Sequence, residues 1–229
     1  KQQLKRYGKS LWEKRRRKGI TLYEAEKLMR ERNYFAAMMV VEGDADTMLS
    51  GYSRAYPSVL KPILEIIGKE ASVSKVASTN LMMTSKGPIF ISDTSININP
   101  SAEELARIAQ MTAFTVKMFG IEPIVAMVSY SNFGSSKLGL IKVFSFRFCN
   151  LLKLQNRKVN TLIYPNLDAA NGTYKLLKEL NSADSIGPIL MGLNEPAHVF
   201  QLGASVDEMV NMSAVAVVDA QQKAKRKKH

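Results

Sequence analysis

From residue 35 onward, short apolar runs of strand length alternate with segments that carry helix start and stop signals. That alternation restricts the chain to an α/β fold, with a mainly parallel sheet flanked by helices. Residues 1–18 predict a basic helix with Leu4, Tyr7 and Leu11 on one face, ended by Gly19. Thr21 and Glu24 form a capping-box pair that opens a second helix to about Arg32. The unbroken apolar run 35–41 predicts a strand buried on both faces. Residues 49–56 read as helical, and Pro57 starts a helix with Leu60, Ile63, Leu64 and Ile67 on one side before Gly68. Segments 73–84 and 88–92 read as strands joined at Ser85-Lys86-Gly87. Ser101, Glu103 and Glu104 open the clearest helix, which Gly120 closes. Segments 122–131, 159–164 and 188–191 read as strands, and 167–180 and 205–221 as helices. The last helix is expected to face inward through Met209, Met212, Ala216 and Val217. Residues 137–158 hold no acid, string together ten large apolar residues, and fit neither period.

The net charge of +12 sits at the ends. Residues 1–32 carry twelve Lys/Arg against four Glu, and 223–229 add five more cations. The stretch between is close to neutral, so 1–222 reads as the folded domain and 223–229 as a basic tail. No nucleic-acid-binding motif accompanies the charge, and no apolar run is long enough for a bilayer. The expected partners therefore include neither nucleic acid nor membrane. A lone Cys149 excludes an internal disulfide framework and fits a reducing, cytoplasmic setting. Two histidines, His198 and His229, argue against a Ser/His/Asp triad and a multi-histidine metal site. No GxGxxG or GxxxxGK[ST] occurs.

Four polar clusters are expected at strand ends: 43–54, 93–100, 129–134, and 165–167 with Asn171-Gly172. In open α/β sheets, ligands bind beyond the carboxyl ends of the strands, where helix N-termini offer N–H groups to anions.

These clusters carry a resemblance. Met38-Met39-Val40-Val41-Glu42-Gly43-Asp44-Ala45-Asp46 followed by Ser50-Gly51 resembles MMV…GxADG…SG. Asn97-Ile98-Asn99-Pro100-Ser101-Ala102-Glu103-Glu104-Leu105-Ala106 is similar to NPNPTAEELA. Phe119-Gly120-Ile121-Glu122-Pro123, then Val125 to Ser131, resembles FGIEPRVAMLSYS. Ile163-Tyr164-Pro165-Asn166-Leu167 with Ala170 to Lys175 resembles IFPDL…GNIGYK, and Ala183 to Leu193 resembles AEAIGPILQGL. The family they resemble is phosphate acetyltransferase. The variant residues Ser53-Arg54-Ala55-Tyr56-Pro57 and 200–212 look most like its branch at the C-terminus of bacterial NADP-dependent malic enzymes.

The resemblance implies a two-subdomain fold of the isocitrate/isopropylmalate dehydrogenase type, lacking the family's first strand–helix unit before Lys1. It implies a cleft for acetyl-CoA without a metal, lined by Ser50, Arg54, Asn166, Asn171 and Lys175. NADP, a divalent metal and the decarboxylation of malate to pyruvate would belong to a separate malic enzyme domain of the same polypeptide. A homo-oligomer is expected. Active members carry Ser-Arg where this chain has Gln201-Leu202, an arginine at Glu179, and a shorter carboxylate at Glu208. Leucine cannot hold a phosphoryl oxygen as an arginine fork does. The resemblance thus implies an acetyl-CoA-binding regulatory module without transferase activity. An active transferase and a purely structural oligomerisation domain are the alternatives. The family has about thirty more residues around 137–158, so this part of the second subdomain is atypical.

Overall fold

The computed structural model describes residues 2–85, 87–129, 158–181 and 184–226. The atypical segment 137–158 therefore lies, except for Lys158, outside the described residues, as does Cys149. The chain forms two compact units, Lys1–Glu70 with Leu193–His229, and Ala71–Gly192.

The first unit opens with α1 (Gln2–Arg15), whose Tyr7 and Leu11 are buried, and a 3-10 turn closed by Gly19 in the left-handed region. The capping box forms as expected: Thr21 and Glu24 exchange side-chain and backbone bonds at the start of α2 (Leu22–Leu28). The next element corrects the reading. The apolar run 35–41 is not a strand but part of helix α3 (Arg32–Val41), started by Glu31, whose Oε2 accepts from the amides of Asn33 and Tyr34. Tyr34, Ala37 and Met38 fall at helical spacing and are buried, while Phe35 is only half-buried. Of the expected helix 49–56 only Tyr56 is helical: Met48–Ser50 is strand β1, followed by a turn in which Arg54 N donates to Gly51 O. Helix α4 (Tyr56–Ile66) buries Val59, Pro62, Ile63 and Ile66 and leaves Leu64 exposed.

β1 pairs in parallel with β7 (Ala197–Val199), Met48 opposite Ala197 and Ser50 opposite Val199. The last helix, α7 (Val206–Arg226), packs through Met212, Val215 and Ala216. Val217 stands on its outer side, half exposed, against expectation. The expected basic tail begins inside this helix. Lys223 Nζ lies 3.1 Å from Glu70 Oε1 and also donates to the carbonyl of Leu193.

The second unit holds a five-stranded sheet in the order β4-β5-β3-β2-β6: β4 Val125–Met127, β5 Thr161–Ile163, β3 Gly87–Ser92, β2 Ala77–Thr84, β6 Ser185–Met191. β4–β5 and β3–β5 pair in parallel, and β2 runs antiparallel to β3 and β6. Four strands thus share one direction and β2 alone opposes them, because the tight turn after Thr84 can only return antiparallel.

Helix α5 (Ala102–Met118) starts at a second capping box, Ser101 with Glu104. Its Leu105, Ile108 and Ala109 pack on Ala77, Ile163 and Met191, and its Val116 on Leu81 and Phe90. Helix α6 (Leu167–Asn181) covers the opposite face, with Ala170 and Tyr174 on Met82 and Ile91. Neighbouring strand residues alternate faces, so Phe90 and Ile91 serve different helices. Each fully buried aliphatic side chain contributes about 1.5–3 kcal/mol to holding these layers together.

Candidate functional site

The cluster 43–46 follows helix α3 rather than a strand. Asp44 is held there by Tyr7 and Arg6 of α1, and its amide donates to Met39 O at 2.8 Å. Burial first, then the hydrogen bond to Asp44, pushes the Tyr7 hydroxyl above its ordinary value. This loop is an anchor between helices. The residues after Ser50, Ser92, Met127 and Ile163 do follow strands; of the cluster 129–134, only Ser129 lies within the described residues.

In the first unit, Ser50 ends β1. Its Oγ donates to Asn33 Oδ1 at 2.7 Å, and its carbonyl accepts from Phe200 N at 2.7 Å. Gly51 follows with φ of +126°. A Cβ there would collide with the carbonyl oxygen of Phe200 and come within 2.9 Å of its amide nitrogen. Only glycine lets the two backbones approach this closely. Arg54 is half-exposed, with one guanidinium nitrogen 3.4 Å from Glu31 Oε1. It stands two residues before α4, whose N-cap Ala55 offers no side chain to the helix's first N–H groups.

Gln201 and Leu202 leave β7 beside this turn, and Leu202 is 69% exposed. Glu208 does not face outward as a free base. Its Oε2 accepts from Ser205 N at 2.8 Å while its own amide donates to Ser205 Oγ at 3.1 Å, the third capping box among the described residues.

In the second unit, Asn166 Oδ1 accepts from Ala169 N at 2.9 Å and starts α6. Asn171 Nδ2 donates to Thr94 O at 2.8 Å. Asn171, Lys175 and Glu179 recur every fourth residue along one face of α6, and the last two are exposed. The structure thus gathers Ser50, Arg54, Gln201, Leu202 and Glu208 in one unit and Asn166, Asn171, Lys175 and Glu179 in the other.

The organiser of the second group is Asp93, which the sequence marks only as part of a polar cluster. Its buried carboxylate accepts from Ser78 Oγ at 2.6 Å, from the amides of Ser95, Ile96 and Asn97, and from Asn97 Nδ2 at 2.5 Å. That network shapes the loop after β3, including Thr94, whose carbonyl receives Asn171. The cluster at Asp93 and Asn97 was the available signal; which group held which was not. His198 is fully buried on β7, 3.5 Å from Asp219 Oδ2. Among the described residues there is no group of three or more His, Cys, Asp or Glu able to hold a metal, and no helix long and apolar enough to cross a membrane.

In α/β proteins generally, strand ends that carry a glycine turn, a cation and a helix N-terminus are where ligands bind. Residues 1–143 and 149–217 match the family described as phosphate acetyl/butaryl transferase. The chain is 36% identical over 246 residues to the NADP-dependent malic enzyme of Haemophilus influenzae, covering 93% of this chain and 32% of that protein. It is 31% identical over 235 residues to the phosphate acetyltransferase of Bacillus subtilis, covering 90% of this chain and 73% of that one. A solved phosphotransacetylase from Streptococcus pyogenes superimposes with a TM-score of 0.83 at 30% identity, covering 96% of this chain and 76% of that one. The chain belongs to the phosphate acetyl/butaryl transferase family. It spans about a third of the length of the malic enzymes it matches.

Proposed function

We propose that this is a regulatory domain that binds acetyl-CoA or a related acyl-CoA, no longer transfers the acyl group, and acts on a malic enzyme portion of a longer polypeptide. The observation that carries the reading is Leu202, exposed where active relatives are expected to place an arginine. Glu208 caps its own helix, and Glu179 sets a negative charge one turn beyond Lys175. A single oxyanion donor is worth about 3 kcal/mol of barrier, so losing two cationic contacts leaves transfer several kcal/mol short. Binding is a separate matter. Arg54 and the uncapped start of α4 suit phosphate oxygens, as does Lys175. NADP and a divalent metal belong, in this reading, to the oxidoreductase portion, which turns malate into pyruvate in the cytoplasm.

A role in self-association is the second reading. Val206, Val210 and Val217 form one outward stripe on α7, exposed by 72%, 62% and 52%. Such a stripe fits a symmetric contact with a second copy.

Calorimetry of the purified chain with acetyl-CoA, coenzyme A and acetyl phosphate tests the reading. Binding of the first two is expected, and Arg54→Ala should weaken it about tenfold without unfolding the chain. In a full-length relative-like polypeptide, acetyl-CoA should inhibit malate turnover with a coupling of about 1–3 kcal/mol. Absence of binding leaves the structural reading in its place.

A further inference from the structure

Two large apolar side chains stand exposed at the carboxyl end of the first unit's strand pair. Ser50 and Val199 are register partners, and Phe200 N donates to Ser50 O at 2.7 Å. Gly51 and Phe200 therefore lie against each other, and each chain turns directly after them, Arg54 N donating to Gly51 O and Ala204 N to Gln201 O. Two residues beyond Ser50 comes Tyr52, 56% exposed; three beyond Val199 comes Leu202, 69% exposed. Between and beside them the residues are uncharged, Ser53 and Gln201, until Arg54 supplies a cation two positions past Tyr52.

An exposed leucine and tyrosine gain nothing from water and gain when an apolar group covers them. A CoA thioester is chemically divided in the same way, with a neutral acyl and pantetheine end and a polyanionic phosphate end. We infer that Tyr52 and Leu202 form the contact that reads the acyl chain of a bound thioester, and that the site therefore favours chains longer than acetyl. This rests on the acyl-CoA-binding reading above and extends it. Leu202 has exchanged a charge-holding position for one that senses chain length, and Tyr52, given no role by the sequence, becomes its partner.

The magnitude follows from apolar burial. A fully buried methylene is worth about fourfold in affinity, and one half covered by a surface contact about twofold. Going from acetyl to butyryl adds two methylenes, so butyryl-CoA should bind about fourfold more tightly than acetyl-CoA. The experiment is calorimetric titration of the chain with coenzyme A, acetyl-CoA, butyryl-CoA and hexanoyl-CoA, repeated for Leu202→Ala and Tyr52→Ala. Both side chains are exposed, and circular dichroism melts establish that the variants remain folded. Affinity that climbs with chain length in the parent and flattens in the variants supports the inference. Equal affinity for all four ligands overturns it while leaving acyl-CoA binding intact. A climb that survives both substitutions overturns it too, since the chain is then read elsewhere. No binding of any of the four defeats the acyl-CoA reading itself, and this inference with it.

Discussion

Replacing Gly51 by alanine is the sharpest test of how the ends of β1 and β7 are held. Its φ of +126° lies where only glycine is at ease, and an L-residue there costs about 1–3 kcal/mol. The added methyl also strikes the carbonyl and amide of Phe200, which are backbone, the amide already donating to Ser50 O. The strand pair must part to admit it, so the total should reach about 3–4 kcal/mol. Gly203→Ala provides the control. Gly203 also has positive φ, +77°, but a Cβ there meets nothing within 4 Å. That change should cost only about 1 kcal/mol. Urea unfolding followed by the fluorescence of Trp12, which lies on α1 in the same unit, reads the difference. With a slope of about 2 kcal/mol/M, Gly51→Ala should lower the midpoint by about 1.5 M and Gly203→Ala by about 0.5 M. Equal shifts for the two variants would refute the close approach as a constraint.

Three further outcomes are expected. The purified chain should exchange acetyl between acetyl phosphate and coenzyme A no faster than background; ready turnover that Arg54→Ala abolishes defeats the proposed loss of chemistry. Light scattering should give the mass of a dimer or larger assembly, and Val210→Glu should reduce it toward the monomer; a parent mass of one chain at every concentration counts against the valine stripe as a contact. The capping glutamates should make the chain acid-labile: backbone and side-chain bonds to Thr21 hold Glu24 below the ordinary 4.5, and the bonds to Lys75 and to the Ser101 amide do so for Glu104. Since their folded values are depressed, the stability they confer is present above 4.5 and lost as pH falls through the lower folded values. Urea midpoints between about pH 3 and 6 should fall on acidification, less steeply in Glu104→Gln; an identical slope removes Glu104 from the account.

Local chemistry explains which parts of the chain were legible in the sequence. The boxes at Thr21 and Ser101 work within four residues, so the pattern sufficed to place α2 and α5. The run 35–41 deceived because continuous apolar residues satisfy both periods; Glu31, a long-chain cap not among the usual Ser, Thr, Asp or Asn, decided for a helix. Residues 48–50 gave a strand because their partner lies at 197–199, a non-local pairing that no window contains. Val217 was assigned inward from apolarity alone, yet it lies about opposite Met212 and Val215 around the helix. Ser50, Arg54, Asn166 and Asn171 stand out in the sequence by residue type, but their partners Asn33, Glu31, Ala169 and Thr94 do not. Glu208 obeys the same local rule as Glu24 and Glu104, its cap partner Ser205 standing three residues earlier, but the resemblance drew it toward a substrate instead.

The division of the chain also fixes an order of events during synthesis. Thr47 Oγ1 bonds the carbonyl of Pro196, 149 residues later, and β1 has no other strand beside it among the described residues. Every residue of the second unit, Ala71–Gly192, is joined to the growing chain before β7 is made. The sheet of that unit can close while β1 still waits, and the first unit is sealed only when β7 and α7 arrive. The return passes beside the point of departure, with Asn194 N on Gly68 O at 3.0 Å and Lys69 bridged to Leu193. A chain cut after residue 192 would therefore keep Asp93, Asn171 and Lys175 in the second unit, but would lack β7, the partner of β1, and Leu202 with it. Whatever ligand the first unit binds is recognised only by a chain whose final helix has been made.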